Sequence, residues 1–251
     1  MARLVDGHSL VERLKSNLNS INEPYILGFS GGLDSSLLLY LSDQFCKPCV
    51  VGIEGSKDIS NARIVAAHYK RQLKIEIFSK SEVVEAASVV LRADPNSSIL
   101  EISYDAVLAG LFQRSDRHYI VTGQGSDEIF YGYSKFVDGR ESSNAESLRV
   151  LKERTIPREN KIATIMQKEL ITPYLDGDII DSFAGLPREM HISKGVGKFL
   201  LRKSAIEAGF DVKFSESKKL AAQYGSGFKS VIASAIRSGI LGNTEKIRGD
   251  L

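Results

Sequence analysis

The chain has 251 residues, and its 33 Lys and Arg nearly balance 31 Asp and Glu, giving a formal net charge of +2. Hydrophobic residues make up 43% and charged residues 25%, ordinary values for a soluble globular protein, with no basic excess to mark a nucleic-acid or anionic-membrane partner. No apolar run approaches the roughly 20 residues that span a bilayer, and the N-terminus lacks the apolar core of a signal peptide, so a cytoplasmic location is expected.

In chain order, HSLVERLKSNL (8–18) has helical spacing of Leu10, Val11, Leu14 and Leu18. YILGFS (25–30) is an apolar run closed by glycines and reads as a buried strand. LDSSLLLYLSDQF (33–45) reads as a helix, CVVGIEG (49–55) as a strand, and ISNARIVAAHYKRQ as the next helix. LKIEIFS (73–79) is a third strand, two helices follow near 80–92 and 101–114, and HYIVTG (118–123) is a fourth strand. Strands separated by helices of this length imply an α/β fold, a parallel twisted sheet covered by helices on both faces. From about residue 142 the pattern turns helical, with candidates at 144–153, 158–170, 176–184, 197–208 and 228–239. A nucleotide-binding core over 1–141 and a helical C-terminal region over 142–251 are expected, with a soft boundary in DGRESSN, and the two could equally form one domain. The two cysteines, Cys46 and Cys49, have no second pair and no nearby histidine, so they read as small residues at a helix-to-strand turn rather than half of a zinc site.

The strongest signal is GFSGGLDSS, between the first strand and the next helix. Ligands bind at this end of the strands in open α/β sheets. Gly31 and Gly32 permit tight turns and close approach, the helix start offers N–H groups to an anion, and Ser30, Ser35 and Ser36 add hydroxyls. Asp34 would repel a bare phosphate but suits a site where Mg²⁺ bridges carboxylate and phosphate. There is no GxxxxGK[ST], so this is not a Walker A loop; GVGK (195–198) lacks the first glycine and a preceding strand. Gly28-x-Ser30-x-Gly32 also fits the hydrolase elbow G-x-S-x-G, with Asp178 and His191 as partners. No oxyanion segment precedes it, and the motif follows the first strand, too early for that fold.

SGGLDSS resembles the PP-loop of the N-type ATP pyrophosphatases. TGQGSDEIFYGY (122–133) resembles the asparagine synthetase signature (S/T)GxGSDExFGGY, after the fourth strand as in that family. KELITPYLD (168–176) is similar to its ExRxPFLD, Gly197-Lys198 with Arg202 to its GKxxLR, and SKKLAAQYGSG (217–227) to its RxKxxxQxGSG segment. The collinear resemblance runs from about residue 8 to 230 and concerns the synthetase domain, with the adenine nucleotide alpha hydrolase-like fold. No segment resembles the glutaminase domain, so the chain is expected to take free ammonia, ammonia from a separate subunit, or another amine.

The resemblance implies that Ser30, Gly31, Gly32, Asp34, Ser35 and Ser36 hold the phosphates of ATP. By the same resemblance Asp34 and Asp127 would share Mg²⁺, Gly52 and Ile53 would lie near the adenosine, and Gly123 would sit close to the nucleotide or acyl group. Lys219 would stabilise charge on the adenylating phosphate and Glu169 would stand beside the acceptor site. Gln124 takes the place of a common Glu, and glutamine cannot act as a base. Ile171, Ser217 and Tyr131 replace two arginines and a glycine of the family pattern. Lys198 and Lys218 also read as ordinary solvated lysines. The expected function is an amide-forming ligase that adenylates aspartate or a related carboxylate, releases pyrophosphate and uses ammonia; a homodimer fits this reading. Two alternatives stay open: another PP-loop ligase acting in tRNA modification or sulfur transfer, and a non-catalytic nucleotide-binding subunit.

Overall fold

Apolar runs that end in glycine become the strands of one sheet. The computed structural model describes residues 7–215 and 222–241. Its first half runs α1 (Gly7–Asn19), β1 (Tyr25–Gly28), α2 (Leu33–Leu41), β2 (Cys46–Gly52), α3 (Lys57–His68), β3 (Lys74–Ile77), α4 (Lys80–Ala93), α5 (Ile99–Arg114) and β4 (Tyr119–Val121). The second half supplies α6 (Ser126–Ile129), α7 (Ser134–Val137), α8 (Ala145–Val150), α9 (Ile156–Ile165), β5 (Glu169–Ile171), α10 (Gly177–Ile179) and α11 (Arg188–His191). The last described helices are α12 (Phe199–Glu207), α13 (Val212–Ser215), α14 (Ala222–Gly225) and α15 (Phe228–Arg237).

The strands are parallel and lie in the order β3-β2-β1-β4-β5. The chain winds outward from β1 to β3, then returns to place β4 on the other side of β1. The order therefore reverses between β1 and β4, the kind of switch point at which ligands bind in open α/β sheets. Side chains alternate across the sheet, as a period of two requires. Tyr25, Leu27, Cys46, Val50 and Val121 face one core, built with α1, α2, α3 and α12. Ile26, Cys49, Val51 and Ile120 face the other, built with α4, α5, α9 and α15.

Four expectations are corrected. β2 begins at Cys46, not Cys49, so both cysteines lie within the strand and face opposite cores. Pro48 masked the strand's start in the sequence, because proline in a run argues against a strand; here it precedes the β3 pairing, which starts at Cys49. The helix expected over 158–170 ends at Ile165, and residues 169–171 form β5, paired to β4 through Tyr119 and Val121. A three-residue, half-exposed edge strand carries too little periodicity to be read from sequence. The helices expected over 144–153 and 176–184 each continue into a π-helical turn, at Leu151–Thr155 and Ile180–Ala184. Ser98 and Glu101 form a capping box, so α5 starts at Ile99, two residues before the expected point.

The stretch after residue 141 thus adds β5 to the sheet and α9, α12 and α15 to its faces. Among the described residues, no helix is long and apolar enough to cross a membrane.

Candidate active site

The loop after β1 is fixed by its glycines. Gly31 has φ +72, and a Cβ added there would lie 2.7 Å from the Asn61 carbonyl carbon and 2.8 Å from Ala62 N. Only glycine lets the loop rest on the α3 backbone in that conformation. Gly32 then caps α2 in an extended conformation with no side-chain cap, so the N–H groups of the first turn are directed at the crevice. Ser30 Oγ and Ser35 Oγ lie 3.4 Å apart, and Ser35 Oγ donates to Gly32 O at 3.3 Å. Ser36 is fully buried, and its hydroxyl finds no partner among the described residues. Together these groups surround the start of a nine-residue helix, the terminus whose dipole favours an anion.

The loop after β4 comes in from the other side of the switch point. A Cβ on Gly123 would lie 3.0 Å from Asp34 Cβ, so the two loops touch. Gln124 is half-buried between Gly123 and Gly125. Gly125, at φ +88, caps α6 in the left-handed region and presents Ser126 and Asp127 to the crevice.

A third segment completes the site. Lys198 caps α12 at φ +58, is 6% exposed, and its backbone N–H donates to Phe130 O at 3.1 Å. Its ammonium lies 2.7 Å from Asp34 Oδ1, 2.8 Å from Asp127 Oδ1 and 3.2 Å from Ser126 Oγ. Ser126 Oγ also donates to Asp34 Oδ1 at 2.8 Å. Burial acts to lower the lysine's pKa, but the Asp127 and Asp34 charges prevail and hold it above the ordinary value. Lys198 is therefore a charged, buried lysine shared by two carboxylates, not a solvated one. Gly132 makes the fit possible: a Cβ there would overlap Asp127 Oδ1 and Lys198 Cε. Sequence reasoning assigned Lys198 no role in the site; the clue was Gly197-Lys198 at a helix start.

Glu128, the other acid of this turn, is buried and accepts from Tyr133 Oη at 2.5 Å. Burial first and the Asp127 charge second push its pKa up to about 7.

Gly52 ends β2 and Ile53 follows it, at the carboxyl end of the strand beside β1. Ile53 N donates to Ser226 O at 2.9 Å, and a Cβ on Gly227 would lie 2.6 Å from Ile53 Cδ1. The Ser226–Gly227 turn thus covers the end of β2.

Glu169 does not join this cluster. It opens β5 opposite Tyr119, at the end of the sheet where the parallel strands begin, and its exposed carboxylate lies 3.7 Å from His118 Nε2. Lys219 and Ser217 lie outside the described residues. The hydrolase reading loses its acid–base pair: Asp178 is paired with Arg13. His191 is fully buried against Phe130 and Tyr131, and burial pushes its pKa down to about 4.

Comparison with known proteins gives the same direction. A sequence model described as Asparagine synthase matches residues 10–151. The "Asparagine synthetase [glutamine-hydrolyzing]" of Gallus gallus is 31% identical over 194 residues, covering 70% of this chain and 35% of that protein. The Homo sapiens protein of the same name is 30% identical with the same coverage, and the Cricetulus griseus one 31% identical over 80% of this chain and 41% of its own length. The chain thus spans roughly a third to two fifths of the length of these curated relatives.

Proposed function

The chain belongs to the asparagine synthase family, and from that premise we propose that it is an ATP-dependent, amide-forming ligase that adenylates a carboxylate, aspartate or a close relative, and transfers ammonia to it. The observation that carries this reading is the meeting of Asp34, Asp127 and Lys198 beside the serine-rich cradle at the β1/β4 switch point.

The cradle of Gly31, Gly32, Ser30, Ser35 and Ser36 has the donors to hold the phosphates of ATP and then departing pyrophosphate. Attack of a carboxylate on the α-phosphorus passes through a metaphosphate-like transition state with charge spread over the equatorial oxygens. A buried ammonium already fixed in place, Lys198, stabilises such charge without reorganising. Lys198 would act there beside Lys219, to which the resemblance gives this role and which lies outside the described residues. Asp34 and Asp127 stand together around the Lys198 ammonium, and a hard cation held by these carboxylates and completed by phosphate oxygens would lie beside that ammonium, not in its place. Among the described residues no group of three or more His, Cys, Asp or Glu could hold a metal by itself, so Mg²⁺ would arrive with the nucleotide. It would supply charge neutralisation at the phosphates.

The second half-reaction needs a proton acceptor for the attacking amine. Gln124 cannot serve, and Glu169 stands away from the cluster, so the leaving phosphate or water takes that proton. Ammonia comes free or from a separate subunit.

Pyrophosphate release from Mg²⁺-ATP, measured across a panel of carboxylates with and without ammonium, tests the reading. Release that requires one carboxylate supports it and names the substrate. ATP binding without release under any condition would replace it with a non-catalytic nucleotide-binding role.

A further inference from the structure

The polar stretch that the sequence offers as a domain boundary ends in a residue that ties the site together. Asn144 is 4% exposed, and its amide is almost fully used. Nδ2 donates to Glu128 O at 3.0 Å and to Ala184 O at 3.2 Å, and Oδ1 accepts from Tyr131 Oη at 3.1 Å. One side chain thereby joins α6, the turn after it, and the π-helical turn at Ile180–Ala184. Buried amides with all donors satisfied specify one arrangement of the segments they join.

Tyr131 is the unusual partner. Its φ of +57 lies in the left-handed region that side-chained residues avoid. The side chain is held on every side: the residue is 4% exposed, and its ring stacks on His191 at 5.0 Å and 20° and packs on Phe136 at 5.0 Å. A strained conformation persists only where the surroundings over-determine it, and such positions cluster at working sites.

The turn at Tyr131 has direct consequences for the lysine. It presents Phe130 O to Lys198 N, brings Tyr131 O against Gly197, and returns Gly132 N to Asp127 O at 2.8 Å. Gly132 then lies against both Asp127 Oδ1 and Lys198 Cε.

We propose that Asn144 and Tyr131 are positioning residues: their hydrogen bond locks the left-handed turn that seats Lys198 between Asp34 and Asp127. Their effect on catalysis rests on the function proposed above, but their effect on Lys198 does not.

Two readouts separate these. The first is the rate at which an amine-reactive acylating reagent modifies Lys198 in the folded chain, followed by mass spectrometry. Tyr131→Phe removes one hydroxyl, and Asn144→Ala removes the shared amide. Tyr131→Phe is expected to raise modification of Lys198 by about fivefold, the worth of one neutral hydrogen bond, and Asn144→Ala, which removes three, by more. If the two act as one unit, the double variant exceeds Asn144→Ala alone by little. Lys168 is the control, because its ammonium is held by Ser115 O and Arg117 O in the loop before β4. Unchanged modification of Lys198 in folded Tyr131→Phe would overturn the proposal. So would a rise matched at Lys168, which would mean general loosening. The second readout is pyrophosphate release, expected to fall in kcat more than KM for ATP rises. Exposure of Lys198 with undiminished release would leave the positioning intact and refute the catalytic role of the lysine.

Discussion

The ammonium of Lys198 lies 2.7 Å from Asp34 Oδ1, across 164 residues of chain. That contact joins the loop after β1 to the start of α12, and Asp127 joins the loop after β4 to the same point. Replacing the lysine by methionine keeps its length but removes the charge and leaves two carboxylates facing each other. Lys198→Met is expected to lower pyrophosphate release by on the order of 10²–10³, the loss typical when one preorganised charge stabiliser is removed. Steady-state kinetics beside a thermal melt checks this, and a folded variant with near-normal release would exclude the lysine from the chemistry.

Two glycines in the site are constrained for different reasons. Gly132 has no left-handed backbone, but a Cβ there would overlap the Asp127–Lys198 pair. Gly132→Ala should therefore cost activity much more than stability. Gly31→Ala meets both a φ of +72 and the α3 backbone. It should destabilise by about 1–3 kcal/mol or more, seen as a lower urea midpoint at unchanged slope.

A buried ionic group behind α6 makes stability depend on pH. Arg158 Nε contacts Asp105 Oδ2 at 2.5 Å, Nη1 contacts Glu101 Oε1 at 2.9 Å, and Nη2 donates to Tyr104 Oη at 2.6 Å. Asp105 and Glu159 are both buried. Burial, opposed by Arg158, pushes Asp105 up to about 6, and burial with the Asp105 charge pushes Glu159 well above its usual value. From the ordinary carboxylate range near pH 4 up to about 6, the folded state holds protons that the unfolded chain has released. These groups therefore lose stability as pH rises through that window. Glu159→Gln keeps the shape and a donor toward Asp105 without a charge to bury. It should flatten the fall and stabilise the fold more at pH 8 than at pH 5. Urea unfolding at pH 5 and pH 8 decides; an equal effect at both would show that the pair does not share a proton.

Gln124 sits in the turn between Gly123 and Gly125, where a carboxylate could take up an amine's proton. Gln124→Glu is expected to raise amide formation while leaving ATP affinity unchanged. An unchanged rate of amide formation would show that proton removal does not depend on that position.

The parts of this protein legible in its sequence are those encoded by contiguous residues. A buried strand, two glycines and a helix start specify the tight loop Ser30–Ser36 by local geometry alone, and Gly123–Asp127 repeats that logic after β4. The alternation of strands and helices fixed the parallel sheet for the same reason, since each period is read within one segment. Tertiary structure decided the rest. Whether Lys198 is solvated or buried depends on carboxylates 164 and 71 positions away, and no local pattern records their approach. Asn144 looks like a linker residue until Tyr131, Glu128 and Ala184 close around it. Glu169 lies apart from the Lys198 cluster because it opens β5, at the end of the sheet where the parallel strands begin, while the loops leave the other end. Side chains whose role is set by long-range charge and burial acquire it only when the segments pack, because the energy that fixes them comes from partners elsewhere in the chain.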